Sequence, residues 1–321
     1  MQKYGFLPKT PSNILQNNKI PSSTYLKNVK PGYFSRQSIS APVMRETLTI
    51  EGVHIYYKGN IKQGAVVFLH GSSLNALTFR EQFSNISAFP MLAIDLPGHG
   101  HSARAEDPGA AYNIPAYALL VARIIRELQL EDVVLAGHAI GANIAIEAAE
   151  YLPQLRGLFL FSMNPFSIPP QFDKMCRPNP LLGYLVSGRM RPVEALLVAE
   201  EMLQGNEVYA DLLASWILET DASARMGFAA SLGLDKFTNE LVTLCEFTKP
   251  LAILRGKTDR IVNPAYLDGI NPVSLWKNSI IELDAGHIPQ MESPAHFNAL
   301  VEDFYRYALS AGTGKTKMPL V

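Results

Sequence analysis

The chain has 321 residues, of which 48% are hydrophobic and 18% charged, and its formal net charge is −1. This balance is typical of a globular protein that buries a sizeable core in one large domain or two smaller ones. A charge so close to zero gives no field to attract nucleic acid or an anionic membrane surface, so we expect a small or neutral partner. The two cysteines, Cys176 and Cys245, are too few for a disulfide framework and lack the spacing of a metal site.

The beginning of the chain has a composition of its own. Residues 1–45 are rich in Pro, Asn, Ser and Lys without sustained periodicity, which predicts an extended arm. They lack the charged-then-apolar layout of a signal peptide, and no stretch approaches the ~18 apolar residues of a membrane span. We therefore expect a cytoplasmic protein. Residues 311–321 are predicted to form a flexible tail.

From Glu46 onward, short apolar runs alternate with helical patterns. The predicted strands are 47–50, 54–57, 65–69, 91–94, 133–136, 157–161, 251–254 and 279–283. Runs that are apolar at nearly every position are typical of strands buried on both faces, and therefore of a parallel sheet covered by helices. Helices are predicted at 115–128, 142–150 and 294–309, the first with Leu119 on its buried face. The pattern indicates the α/β class, with a doubly wound, mostly parallel sheet in a core of residues 46–163 and 245–310.

About ninety residues separate the strand ending at Phe161 from the strand beginning at Leu251. Normal connections in such sheets have only a few residues, so this insert must have structure of its own. Its first part is broken by prolines, whereas its second part has apolar residues at helical spacing. We predict a helical cap over residues 164–244, placed above the carboxyl ends of the strands, where open α/β sheets bind their ligands.

Residues Gly137-His-Ala-Ile-Gly141 have the frame of a nucleophile elbow, Gly-x-Ser-x-Gly, with Ala139 at the position of the nucleophile. The frame follows a predicted strand and precedes a predicted helix, as this sharp turn requires. Ala139 carries no oxygen, so the chain as written cannot form an acyl-enzyme there. Either a serine has been replaced in an enzyme, or the chain is a natural non-enzyme on an enzyme scaffold.

Two further residues at strand ends fit the chemistry that the elbow indicates. Asp259 follows the strand at 251–254, and His287 follows the last strand. In such an arrangement the histidine removes the proton of a serine hydroxyl, and the carboxylate orients the imidazole and stabilises its cation. Asp284 is the competing carboxylate, but it is three residues before His287 and is expected to point into solvent or to cap a turn.

The loop after the strand at 65–69 completes the predicted site. The backbone N–H of Ile140 faces the space above residue 139, and a second donor is expected from Ser72, with Ser73 as the alternative. Two such donors stabilise the oxyanion of a tetrahedral intermediate. No metal or cofactor is expected, since His99 and His101 have no carboxylate or cysteine at ligand spacing.

In their order along the chain these motifs resemble those of the α/β-hydrolase superfamily, from about residue 46 to residue 309. More loosely, they are similar to the α/β-hydrolases that open N-acyl-homoserine lactones. The segments that carry this second resemblance are 72–73, 96–100, 156–158, 220–225 and 285–287. The resemblance implies an acylated lactone as substrate, with its ring carbonyl at Ser72 and Ile140 and its acyl chain under the cap.

The function predicted from the sequence is hydrolysis of carboxylic ester or lactone bonds by a serine hydrolase, present here in a form inactivated at Ala139. Related enzymes that use an elbow aspartate, such as haloalkane dehalogenases, are disfavoured because alanine is an odd remnant of that residue. The alternatives are a natural non-catalytic protein that binds small molecules, and an esterase or thioesterase of another substrate class. Retention of Asp259 and His287 favours the enzyme.

Overall fold

The computed structural model describes residues 44–203, 207–233 and 237–311. The predicted arm and tail lie outside these residues, apart from residues 44, 45 and 311. Within these ranges the chain forms one eight-stranded sheet. Its strands are β1 Glu46–Ile50, β2 Val53–Lys58, β3 Ala65–Leu69, β4 Met91–Ile94, β5 Val133–His138, β6 Leu155–Phe161, β7 Leu251–Gly256 and β8 Ile281–Leu283.

The strand order across the sheet is β1-β2-β4-β3-β5-β6-β7-β8. The pairs β1/β2 and β2/β4 are antiparallel, and every later pair is parallel. The predicted mostly parallel sheet is therefore confirmed. Because β3, β5, β7 and β8 run in the same direction, the loops that follow them meet at one edge of the sheet, where ligands bind in folds of this class.

Helices cover both faces of this sheet. The helices of the described residues are α1 Arg80–Asn85, α2 Pro108–Ala111, α3 Ile114–Glu127, α4 Ile140–Ala148, α5 Phe172–Met175, α6 Leu182–Leu185, α7 Pro192–Leu203, α8 Ala210–Glu219, α9 Ala222–Leu232, α10 Glu240–Glu246, α11 Pro264–Leu267, α12 Pro289–Glu292 and α13 Pro294–Ala311. Alternate residues of β3 face opposite ways: Val67 packs in the core on the side of α3 and α4, and Phe68 in the core on the side of α1 and α13. Every side chain of β3 is buried, as its continuous apolar run predicts.

The prediction for the buried face of α3 was wrong at one position. Leu119 is 47% exposed, whereas Tyr117, Ala118 and Val121 are buried. The helix starts at Ile114 behind its Asn113 cap, and its buried stripe follows residues 114, 117, 118, 121, 124 and 125. Leu119 lies outside that stripe, on the solvent side.

The insert between β6 and β7 is a helical cap, as predicted. Helices α7 and α8 pack against each other around an apolar cluster that contains Met202 and Leu213. The same cluster includes Leu74, Ile261 and Ile288, which lie in the loops after β3, β7 and β8. The cap therefore rests directly on the loops that carry the candidate site residues. Among the described helices, none has both the length and the apolar character needed to cross a membrane.

Candidate active site

The turn between β5 and α4 holds Ala139 in a conformation that residues with a side chain rarely adopt, with φ 48° and ψ −119°. Its N–H donates to the carbonyl of Phe161 at 3.0 Å, and its carbonyl accepts from the N–H of Ala142 at 2.9 Å. Such backbone strain persists only where the surroundings impose it, and it is concentrated at functional sites. The turn thus presents the side chain of residue 139 above the carboxyl edge of the sheet.

The glycines of the turn are required by the close approach of other backbone atoms. A Cβ on Gly141 would lie 2.3 Å from the carbonyl oxygen of Leu69, and one on Gly137 would lie 2.4 Å from the Cα of Ala142. Neither gap admits a methyl group. The frame of the motif therefore has a steric cause that is independent of the residue at position 139.

Asp259 and His287 form a buried pair beneath the cap. Oδ2 of Asp259 accepts a hydrogen bond from Nδ1 of His287 at 2.9 Å, and Oδ1 accepts from the N–H groups of Ile261 and Val262 at 2.8 and 3.2 Å. Burial by itself would raise the pKa of Asp259, but His287 and the two N–H donors outweigh it, so that this pKa is lowered. The carboxylate therefore stays ionised and fixes the proton of His287 on Nδ1.

Asp284, the competing carboxylate, is placed elsewhere. Its side chain is 84% exposed and forms an ion pair with Lys257 at 2.6 Å. The structure thus brings Asp259, and not Asp284, to the histidine.

The backbone N–H and the backbone carbonyl of His287 are both hydrogen-bonded as well. Its N–H donates to the carbonyl of Met202 at 3.0 Å, and its carbonyl accepts from Nε2 of His138 at 2.8 Å. The N–H groups of the flanking residues Gly286 and Ile288 both donate to the carboxylate of Glu292, at 3.0 and 2.9 Å. Burial raises the pKa of Glu292 to about 7 despite these two donors. These contacts were not predicted, and no local sequence signal marks them, because they depend on how separate elements dock.

Ser72 and Ile140, the two residues predicted to supply backbone N–H donors, line one small cavity. Neither N–H group has an acceptor within the described residues, and both residues line a cavity of about 10 Å³ together with Gly71, Leu96, His99, Tyr117, Ala224 and Phe228. Gly71 adjoins residue 139, since a Cβ on it would lie 3.4 Å from that of Ala139. The N–H of Ser73 is instead directed to Nε2 of His99 at 3.4 Å. The free pair of donors is therefore the one at Ser72 and Ile140.

Two buried histidines shape the loop that carries Ser72. His70 donates from Nδ1 to the carbonyl of Gly71 at 2.8 Å and accepts at Nε2 from the N–H of Leu96 at 3.0 Å. Burial lowers the pKa of His99 to about 4 and that of His70 well below its ordinary value. Both rings are neutral supports of the loop. Within the described residues, no three His, Cys, Asp or Glu side chains are grouped so that they could hold a metal ion.

The roof of the cavity comes from α9 of the cap, through Ala224 and Phe228. Asp221 begins this helix and accepts hydrogen bonds from the Tyr112 hydroxyl at 2.8 Å and the Ser223 N–H at 3.0 Å. The buried guanidinium of Arg225 donates to carbonyl groups of α8 and of neighbouring cap loops: Ser187, Ile217 and Thr220. These bonds fix α9 over the free N–H donors.

Comparison with known proteins agrees with this architecture. The model of the α/β hydrolase family matches residues 66–300, and the chain belongs to that family. The predicted superfamily is thereby confirmed. Among curated proteins, the chain is 26% identical to the dihydrolipoyllysine-residue acetyltransferase component of the acetoin cleaving system of Cupriavidus necator, over 79% of this chain and 67% of that protein.

Several solved structures share the fold. N-acyl homoserine lactonase AidH complexed with N-butanoyl homoserine superposes with a TM-score of 0.76, at 22% identity over 86% of this chain and 99% of that one. A serine-to-glycine mutant of AidH complexed with N-hexanoyl homoserine lactone gives 0.75, at 23% identity over 82% and 97%. A thermophilic esterase from Thermogutta terrifontis gives 0.65, at 18% identity over 82% and 97%.

Proposed function

We propose that this chain is a hydrolase of carboxylic ester or lactone bonds whose nucleophile position holds alanine, so that it binds its substrate without turning it over. One arrangement carries the proposal. A buried carboxylate–imidazole pair, with 2.9 Å between Asp259 Oδ2 and His287 Nδ1, accompanies a strained elbow turn that presents a side chain without a reactive atom. Two free N–H donors adjoin the same position. A protein with no past or present use for acyl transfer has no need of this combination.

With serine at position 139, each group has a defined role. The serine Oγ forms a bond to the acyl carbon as its proton passes to Nε2 of His287, and the carbonyl oxygen becomes an oxyanion bound by the N–H groups of Ser72 and Ile140. The leaving alkoxide takes the proton from His287 as the acyl–oxygen bond breaks, and water then hydrolyses the acyl-enzyme by the same steps. Asp259 keeps the imidazole in the productive tautomer. With alanine at position 139 the bond to the acyl carbon cannot form, so none of the later steps follows, although the other groups remain in place.

An acylated lactone is the substrate that the similar structures favour. The AidH complexes contain an acyl homoserine lactone in the serine-to-glycine mutant and an acyl homoserine in the other structure. By analogy, the alanine at position 139 should leave binding of the intact ester or lactone possible, because the N–H donors and apolar walls do not depend on the missing oxygen. The deletion also relieves crowding at the carbonyl.

The test is to restore the oxygen. Ala139→Ser should create hydrolysis of members of a panel of esters and lactones, together with labelling by a fluorophosphonate probe. Loss of such a nucleophile commonly costs on the order of a millionfold in turnover, so the contrast with the unsubstituted chain should be large. The double variant Ala139→Ser with His287→Ala is the control, since it has the oxygen without the base. If Ala139→Ser neither reacts with the probe nor hydrolyses any acyl substrate, the proposal is wrong and a non-catalytic binding role replaces it.

A further inference from the structure

His138, the residue before the nucleophile position, contacts the backbone of the candidate base. Its ring is fully buried at the end of β5, and Nε2 lies 2.8 Å from the carbonyl oxygen of His287. A carbonyl can only accept a hydrogen bond, so the proton of His138 must reside on Nε2. The contact spans 149 positions of sequence and joins the elbow turn to the histidine loop.

The ring of His138 has little freedom to leave this position. It stacks on Phe161 with 5.3 Å between ring centroids and 23° between the planes. Gly71 approaches the ring closely as well, since a Cβ on it would come within 2.8 Å of Nδ1 of His138. The surroundings therefore present Nε2, and no other atom of the side chain, to the carbonyl of His287.

His138 is neutral, which is compatible with the formation of a cation on the neighbouring ring of His287. Burial, followed by the nearby His287, lowers the pKa of His138 to about 3, so the ring is neutral at ordinary pH. The two imidazole centroids are 5.0 Å apart. A charged ring at that distance would oppose the imidazolium that His287 forms when it takes a proton, whereas a neutral ring does not.

The two hydrogen bonds to the peptide groups of His287 come from different parts of the fold. Met202 of the cap accepts from the N–H, and His138 donates to the carbonyl. Only the second originates in the turn that carries residue 139. The hydrogen bond from His138 therefore links residue 139 to His287 through the side chain of the residue that precedes position 139.

We propose that His138 is a positioning residue, which holds the carbonyl of His287 and thereby keeps the imidazole of the base in register with the side chain at position 139. The inference rests on the proposed function for its catalytic meaning. Its structural part concerns the chain with alanine and can be measured without hydrolysis.

The first experiment uses proton NMR of the Ala139 chain and observes the low-field Nδ1–H of His287, assigned by its loss in His287→Gln. His138→Phe keeps a ring without a donor. His138→Gln places an amide nitrogen close to the position of Nε2. The side chain of His138→Asn is shorter, and its amide nitrogen cannot reach the carbonyl of His287. We expect the resonance to persist in the Gln variant and to be lost to exchange with water in the Phe and Asn variants. Persistence of the resonance in both of these would overturn the proposal, and so would its loss in all three.

A matched control comes from the amino end of the strands, opposite the site. The Ser274 hydroxyl, in the connection between β7 and β8, donates to the carbonyl of Phe247, just before β7, at 2.6 Å. Ser274→Ala also removes a side-chain donor from a backbone carbonyl, but far from His287 along the strand. The His287 resonance should be unchanged in this variant. A loss there would assign the effect to general loosening and would overturn the proposal.

The second experiment measures kinetics in the Ala139→Ser background. His138→Asn should lower kcat roughly 10- to 100-fold with KM changed little, because misplacement of a catalytic group costs rate more than binding. His138→Gln should recover most of the rate. Equal kcat in the Asn variant and its parent, with both folded by thermal melt, would contradict the proposal. If the Ala139→Ser parent is itself inactive, the proposed function fails, while the NMR result still decides whether His138 positions His287.

Discussion

The backbone N–H of His287 donates a hydrogen bond to the carbonyl of Met202, the penultimate residue of α7, at 3.0 Å. Next to this contact, Ile288 packs in the same apolar cluster as Met202. Helix α7 is therefore part of the support of the histidine and cannot move away from the sheet without disturbing it.

The pairing of Asp259 with His287 predicts a sharp difference between two aspartates. In the Ala139→Ser background, His287→Ala and Asp259→Asn should each lower kcat by at least about 10⁴-fold, because the base and its orienting carboxylate act as one unit. Asp284→Asn is the matched control, since its carboxylate is exposed and bonded to Lys257. Steady-state kinetics on one ester would suffice. A severe loss at Asp284 with near-normal turnover at Asp259 would reverse the assignment of the acid.

The elbow glycine at position 141 should tolerate no side chain. In Gly141→Ala the new methyl would meet the carbonyl oxygens of Leu69 and His70 at 2.3 and 2.7 Å, and backbone must move to admit it. We expect a loss of about 3 kcal/mol or more in the free energy of unfolding, measured by urea titration.

Gly269→Ala serves as the control for that substitution. The nearest atom to a Cβ there is the carbonyl oxygen of Tyr266, at an ordinary 3.7 Å. Its effect should stay within about 1 kcal/mol. Equal stability of the two alanine variants would show that the turn is less tightly packed than these distances require.

Buried Glu240 predicts an unusual dependence of stability on pH. Its Oε2 accepts from Asn143 Nδ2 at 2.6 Å and from the Phe166 N–H at 2.8 Å, and burial raises the pKa of the carboxyl to about 8. In the unfolded chain the same carboxyl has its ordinary pKa of 4.5. The folded state thus binds the extra proton between these values, and stability falls as pH rises through that window, by roughly 1.4 kcal/mol per unit.

Glu240→Gln removes this loss. The variant should match the unsubstituted chain near pH 5 and be more stable at pH 8, as measured by urea unfolding at both pH values. Glu246→Gln, the same change at an exposed position of α10, should have a small effect at both. A stability difference for Glu240→Gln that does not grow with pH would contradict the predicted protonated state.

Much of the fold could be predicted because its signals are local. Each strand buried on both faces is a continuous apolar run, and the pair of glycines in the elbow reflects contacts within a few residues of the turn and with one neighbouring strand. The sequence does not define which face of α3 is buried, since Leu119 and its buried neighbours are all apolar. The buried stripe of the helix becomes evident only from its packing in the folded protein.

The supports of the site could not be predicted in this way. The bond from His138 to His287 and the bond from His287 to Met202 join residues that are distant in sequence, and the second depends on how the cap docks. Glu292 binds the loop around His287 only because α12 follows it with the right geometry. The size of the cavity is likewise set by tertiary packing, which no spacing of residues reveals.

Phe228 should limit the length of the acyl group. It extends from α9 into the wall of the cavity that Ser72 and Ile140 line, and at about 10 Å³ this cavity has room for about one water-sized group beside the N–H donors. A hexanoyl chain directed into this cavity would have to displace the ring. In the Ala139→Ser background, Phe228→Ala should raise the ratio of kcat/KM for hexanoyl over acetyl esters by at least about tenfold, since each buried methylene contributes up to ~0.8 kcal/mol.

The control for this substitution is Phe237→Ala, which also truncates a cap phenylalanine. Phe237 packs against Phe166, with 5.1 Å between ring centroids, and does not line the cavity, so its loss should leave the ratio unchanged. Calorimetry with the Ala139 chain gives a reading that is independent of turnover, because a longer acyl homoserine lactone should gain affinity over the acetyl compound when Phe228 is truncated. If the ratio and the affinities are the same with and without the Phe228 ring, the acyl chain does not enter this cavity, and the lactone must bind with its chain directed elsewhere under the cap.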